Sequence, residues 1–125
     1  MPQQVIGGAI LALALAGMPV AQAADNAPPG ERIFTNACSD CHTVETGRNK
    51  RGPSLHGVIG RPAGSVAGYS YSDAMKQSGI VWTPERLTRY LAAPKADVPG
   101  TKMRMLVHPS PAEVETLISW LQQQK

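Results

Sequence analysis

Two cysteines are all that the 125 residues contain, and both lie in the five-residue run CSDCH, Cys38 to His42. A structural zinc site needs four ligands, usually as two pairs of Cys or Cys/His. Here there is no second pair, and His56 and His108 stand far apart in sequence. Aromatic residues are scarce too: one Phe, two Trp and three Tyr serve the whole core. No stretch alternates apolar and polar residues as a half-buried strand does, and no internal repeat is visible. No basic cluster interleaves with aromatics. A net charge of +3 is too small to argue for nucleic acid, although it permits an acidic protein partner. What is plentiful is glycine and proline, 12 and 11 residues. Such a chain is loop-rich, and its small core needs a staple, which a covalently held cofactor would supply.

Charge is missing altogether from the side chains before Asp25. Val5 to Val20 reads VIGGAILALALAGMPV, and AQA, Ala21 to Ala23, follows at the distance of a signal-peptidase site. The opening MPQQ has no Lys or Arg, so the terminal amine is the only positive charge of that region. The expectation is a signal peptide over residues 1–23, cleaved after Ala23, and one domain over residues 24–125. A retained membrane anchor is the alternative, although the run is short for a span. Export would place the domain in the periplasm, an oxidising compartment.

Residues 25–29 are polar and Pro-rich and read as a flexible lead-in. Ile33, Phe34, Ala37, Cys38 and Cys41 then recur at steps of three and four, which predicts a helix over Glu31 to Asp40. Glu31 in its first turn suits the helix dipole. From Thr43 to Gly68, glycines and prolines forbid long regular elements. A loop of that length needs something bulky to wrap around. A short helix is expected over Ser72 to Gln77. The next has Thr83 as N-cap, Pro84 first, Leu87, Tyr90 and Leu91 on its apolar face, and Pro94 as its stop. In the last, Ser110 and Glu113 form a capping box around Pro111, and Val114, Leu117, Ile118 and Leu121 repeat at helical spacing. The fold class is all-α, three to five helices with long loops wrapped around one covalently bound group.

The haem is inferred from the cysteines. A redox dithiol of the thioredoxin kind expects a strand–helix–strand setting, and none is visible. A disulfide across two residues would close a tiny loop and remove little chain entropy. Neither reading uses His42. C-x-x-C-H is the attachment pattern of haem c: thioethers from Cys38 and Cys41 grip the porphyrin, and His42, the next residue, reaches beneath it to the iron. An electron carrier fills the sixth position as well. Met75, Met103, Met105, His56 and His108 are the candidates. Pro99-Gly100 makes a turn that puts Met103 on a loop free to approach iron, with Met105 as the substitute. Met75 lies in an expected helix and reads as core filler. The two histidines read as loop residues making ordinary hydrogen bonds.

At this point the sequence resembles the class I c-type cytochromes, of the mitochondrial cytochrome c and bacterial cytochrome c2 type. The stretches that carry the likeness are GERIFTNACSDCHTVE, GPSLHGVIGR, YSYSDAMKQSGIVWTPERLTRYLAAPK, VPGTKM and LISWL, spread from Gly30 to Leu121. The resemblance implies covalent haem at Cys38 and Cys41 and axial ligation by His42 and Met103. It implies that the Pro53 carbonyl accepts from His42 Nδ1–H, which would fix the imidazole. Arg61, Tyr71, Ser72, Trp82 and Thr101 match positions around the haem propionates, and Tyr90 the tyrosine near the methionine sulfur. Gly30, Phe34, Leu117 and Trp120 match the contact of first and last helices. Lys95 and Lys102 match members of a lysine ring used for partner docking. Three positions depart from the pattern: Met75 where Asn is frequent, Met105 where Phe is frequent, and Ala37 where Lys often precedes the first cysteine.

The function so implied is one-electron transfer without catalysis, by a monomer that binds neither nucleic acid nor a small-molecule substrate. It would shuttle between respiratory or photosynthetic complexes or periplasmic dehydrogenases and an oxidase. A quinol-cytochrome c oxidoreductase, a terminal oxidase and a periplasmic dehydrogenase are the expected partners. The alternative is a ligand-binding or peroxidatic haem protein with a labile sixth ligand.

Overall fold

The computed structural model describes residues 26–125 together with Gly7, Gly8 and Gly17. Apart from those three glycines, the expected leader lies outside the described residues. Among these residues five helices follow in order: α1 (Pro29–Ala37), α2 (Asp73–Lys76), α3 (Pro84–Ala92), α4 (Pro94–Asp97) and α5 (Pro111–Leu121). Among the described residues there is no strand, only an isolated antiparallel bridge between Pro62 and Val81.

The helix starts are set by local chemistry. Ser72 Oγ accepts from Met75 N–H at 3.1 Å, and Thr83 Oγ1 accepts from Arg86 N–H at 3.1 Å. At α5 the box closes both ways: Ser110 Oγ accepts from Glu113 N–H at 3.2 Å, and the Glu113 carboxylate accepts from Ser110 N–H at 2.7 Å. Each satisfies donors that the first helical turn leaves open.

Two boundaries differ from expectation. The first helix begins at Pro29, inside what reads as a lead-in, because proline suits the first helical position, where no N–H is required. It ends at Ala37. Beyond it the amides of Cys38 and Ser39 both donate to Phe34 O, at 2.8 and 3.0 Å. Cys41 and His42 then donate to Cys38 O at 3.1 and 2.9 Å, so the cysteine motif forms its own turn. The second difference is α4. Pro94 ends α3 and at once occupies the first turn of another helix. Asp97 on α4 reaches back to α3, accepting from Arg86 Nη1 and, at 3.4 Å, from Arg89 Nε.

The core lies where α1 crosses α5 and α3 packs on α5. A Cβ at Gly30 would sit 2.1 Å from Trp120 Cβ and 2.9 Å from Thr116 O, so only glycine permits this crossing. Beside it the Phe34 and Trp120 rings pack with centroids 5.3 Å apart. Leu117 and Leu121 are the most deeply buried large side chains. The long segment between α1 and α2 is held by its own polar links. Asn49 Oδ1 accepts from Ser54 N–H at 2.9 Å, Asn49 Nδ2 donates to Ala67 O at 3.1 Å, and Ser54 Oγ donates to Glu45 O at 2.6 Å.

Candidate cofactor site

Between these elements lies a cavity of about 320 Å³, of the size that small-ligand sites occupy. Its inner wall is apolar, built from Val58, Met75, Leu87, Leu117 and Leu121. The expected site residues Cys38, Cys41, His42, Pro53, Arg61, Tyr71, Ser72, Trp82, Tyr90, Thr101, Lys102 and Met103 all line it, and Lys95 does not.

On one side stands His42. Its Nδ1 lies 2.7 Å from Pro53 O. A carbonyl can only accept, so Nδ1 carries the proton and Nε2 keeps its lone pair. Burial lowers the His42 pKa, aided by the positive Arg61 and Lys50 and opposed by the bond to Pro53. The neutral ring is the form that binds a metal ion. Its position is fixed from behind by Gly52, a residue that sequence reasoning missed. A Cβ there would fall 2.3 Å from His42 Cε1, 2.7 Å from Nδ1 and 2.8 Å from Nε2. Gly52 N–H also donates to Cys41 O at 2.8 Å, tying the backing strand of chain to the cysteine turn. Its only trace in the sequence is its place before Pro53.

Both cysteines are free. Burial, with the neighbouring Cys41 adding to it, pushes the Cys38 thiol up to about 11. The thiolate that a redox dithiol requires is thus disfavoured.

The loop after α4 also lines the cavity. Thr101 is buried, and its Oγ1 lies 2.6 Å from Tyr90 Oη and accepts from Met103 N–H at 3.3 Å. This anchors the main chain of Met103 to α3. The Trp82 ring packs against Tyr90 at a tilt of 45°, with ring centroids 5.0 Å apart. Met75 and Met105 also line the cavity, whereas His56 and His108 do not. His56 Nδ1–H donates instead to Val44 O at 3.2 Å.

The third wall is polar. Arg61 Nη1 donates to His56 O at 2.8 Å, but its Nε is buried with no partner. Burial lowers the Arg61 pKa, which is the cost of enclosing a cation without an anion beside it. Tyr71 Oη accepts from Val66 N–H at 3.1 Å, and Tyr69 Oη donates to Arg51 O at 2.8 Å. Ser72 lines the same wall while capping α2. An apolar slot with a neutral imidazole, two thiols, three thioethers and a half-buried guanidinium with one unpaired nitrogen fits a metalloporphyrin with anionic substituents.

The family model described as cytochrome c matches residues 27–125. The chain belongs to the cytochrome c family. It is 47% identical over 100 residues to cytochrome c of Cochliobolus lunatus, which covers 79% of this chain and 93% of that one. To cytochrome c2 of Rhodopila globiformis it is 46% identical over 102 residues, 78% and 96% of the two chains. Among solved structures it is similar to cytochrome cH from Methylobacterium extorquens, at 41% identity and a TM-score of 0.69, covering 76% of this chain and 95% of that one. Members of the cytochrome c family hold one haem c covalently and transfer electrons rather than catalyse, and Cys38 and Cys41 have the spacing that attachment needs. This chain is accordingly a haem c electron carrier.

Proposed function

We propose that the iron ligands are His42 Nε2 and Met103 Sδ, that Cys38 and Cys41 are the thioether anchors, and that the carrier works in the periplasm after loss of residues 1–23. Haem c, when bound, supplies a one-electron ferric–ferrous couple. The protein's own residues set its surroundings. Pro53 and Gly52 hold the imidazole. Tyr90 and Thr101 hold the loop that presents Met103. Arg61 offers its unpaired Nε to a propionate, with Tyr71, Ser72 and Trp82 on the same wall. The apolar residues behind exclude water. If His42 and Met103 both hold the iron, no position there would be left for a substrate, and turnover would consist of docking, electron transfer and release. The partners are other redox proteins: a quinol-cytochrome c oxidoreductase or periplasmic dehydrogenase as donor and a terminal oxidase as acceptor. Weak, transient contact suits such exchange.

The observation that carries this reading is the hydrogen bond from His42 to Pro53, 2.7 Å long, which leaves Nε2 as the free ring nitrogen. The test is spectroscopic. The ferric protein is expected to show the weak band at the red end of the spectrum that reports sulfur–iron ligation, and Met103→Ala to lose it. A wild-type protein that lacks the band, or whose ferrous form binds carbon monoxide at neutral pH, is instead a ligand-binding or peroxidatic haem protein. Intact mass of the exported chain reads haem attachment and the mature N-terminus together.

A further inference from the structure

Among the described residues three thioethers line the cavity, Met75, Met103 and Met105, and the ligand set proposed above uses one of them. Met75 is buried and rooted in α2, where its N–H donates to Ser72 Oγ at 3.1 Å. Its reach is that of its side chain alone. Met103 and Met105 share one loop and one side of that loop. Thr101 is buried, Met103 and Met105 are half-buried, and Lys102, Arg104 and Leu106 are exposed. This alternation is that of extended chain, in which every second side chain points the same way.

The two methionines differ in how firmly they are held. Met103 packs against the buried core, and its N–H donates to Thr101 Oγ1 at 3.3 Å. Met105 is not packed against that core, and among the described residues the chain from Arg104 to Pro109 makes no backbone–backbone hydrogen bond. A shift of the loop by one residue would turn both sulfurs away from the cavity. A shift by two brings Met105 to the place of Met103 with its side chain facing the same way. Two residues of extended chain span about 7 Å, and the flexible methionine side chain covers part of that distance. We propose that Met105 is a reserve axial ligand, which closes the ferrous iron when Met103 leaves it. This rests on the assignment of Met103 in the carrier reading. The exchange breaks one sulfur–iron bond and forms another. Neither thioether carries a proton at Sδ, so no proton moves and no electron is consumed. The restriction to the ferrous state follows from the softness of the thioether, which favours reduced iron. In the ferric state water competes with an unanchored Met105, so the loss of the ferric band in Met103→Ala stands. A carrier deprived of Met103 thus remains closed to small ligands while it is reduced.

The test uses the haem-loaded protein, reduced with dithionite at neutral pH, carrying Met103→Ala alone, with Met105→Ala, or with Met75→Ala. Visible absorption reads whether the iron is low-spin, with the sixth position filled, or high-spin, with it open. Titration with carbon monoxide reads how strongly that position is defended. Ferrous Met103→Ala is expected to be low-spin, and the Met103/Met105 double variant high-spin. Where Met105 fills the position for about nine-tenths of the time, the apparent affinity for carbon monoxide is about tenfold weaker in the single variant than in the double. The Met103/Met75 variant should match Met103→Ala. Met103→Leu, with and without Met105→Ala, repeats the comparison if alanine impairs haem loading. A ferrous Met103→Ala protein that is high-spin and binds carbon monoxide as the Met103/Met105 variant does overturns the inference. So does a Met103/Met105 variant that stays low-spin, or a Met103/Met75 variant that becomes high-spin, because another residue would then be the reserve. Loss of the ferric red-end band in Met105→Ala, with Met103 in place, defeats the assignment of Met103 instead.

Discussion

Replacing Gly52 by alanine isolates one contact at the proposed iron ligand. The backbone at Gly52 does not have a positive φ, so alanine adopts it without strain, and the whole effect is the added methyl. That methyl would sit 2.3 Å from His42 Cε1, where ordinary contact begins at 3.4 Å. The ring or the chain behind it must therefore yield by about 1 Å. The ring cannot move that far and keep its 2.7 Å bond to Pro53 O. Overpacking of this size costs about 1–3 kcal/mol, and a lost neutral hydrogen bond about 0.5–1.5 kcal/mol more. The expected destabilisation is about 2–4 kcal/mol, which for a domain near 100 residues lowers the melting temperature on the order of 10–20 °C. The decisive readout is not stability alone. Rotation of the imidazole should displace the haem methyl resonances of the ferric protein and shift its reduction potential. Gly57→Ala is the control: nothing lies within 4 Å of its added methyl, but φ is +62°. It should cost about 1–2 kcal/mol of backbone strain and leave the haem resonances in place. If Gly52→Ala melts within about 2 °C of wild type, with unshifted resonances, the backing role is wrong.

Asp97→Asn should destabilise by about 1–3 kcal/mol, between the values for exposed and buried pairs, because its side chain is only 10% exposed beneath Arg86 and Arg89. The Arg86 hydrogen bond, with both guanidinium charges, holds the Asp97 pKa below the ordinary carboxylate value. Its contribution is thus complete above an unfolded pKa of about 3.9 and fades as pH falls through the lower folded value. Wild type and variant should therefore converge in acid denaturation. Thr101→Val removes the partner of Tyr90 Oη and of Met103 N–H. It should cost about 1–3 kcal/mol, and the sulfur–iron band should melt at a lower temperature than the helical circular dichroism. Gly30→Ala forces α1 away from Trp120 and should cost at least about 2–4 kcal/mol in thermal unfolding.

What could be read from the sequence was whatever one turn of chain decides by itself. Thr83 and Ser110 cap the helices they were expected to cap, since a cap needs only residues within three positions. The cysteine turn was equally local. Where the outcome depends on residues distant in sequence, the sequence was silent. Pro94 read as a stop because nothing local shows that Asp97, three residues on, is held by Arg86 and Arg89 of the previous helix. Gly52 read as loop because its neighbour in space, His42, is ten residues away and pressed against it face-on. Lys95 and Lys102 were grouped by resemblance; Lys102 lines the cavity and Lys95 does not.

The crossing at Gly30 and Trp120 also fixes an order of events during synthesis. Joining the two closes about 90 residues of chain, an entropic cost of roughly 4 kcal/mol that no earlier contact offsets. Until Trp120 exists, Phe34 has no ring to pack against and the wall formed by Leu117 and Leu121 is absent. A chain stopped at Thr116 should accordingly show no cooperative melt by circular dichroism. Cys38 and Cys41, just beyond α1, are then made early and stay open for as long as the last helix is awaited. Haem attachment at Cys38 and Cys41, as proposed, would have access until α5 docks.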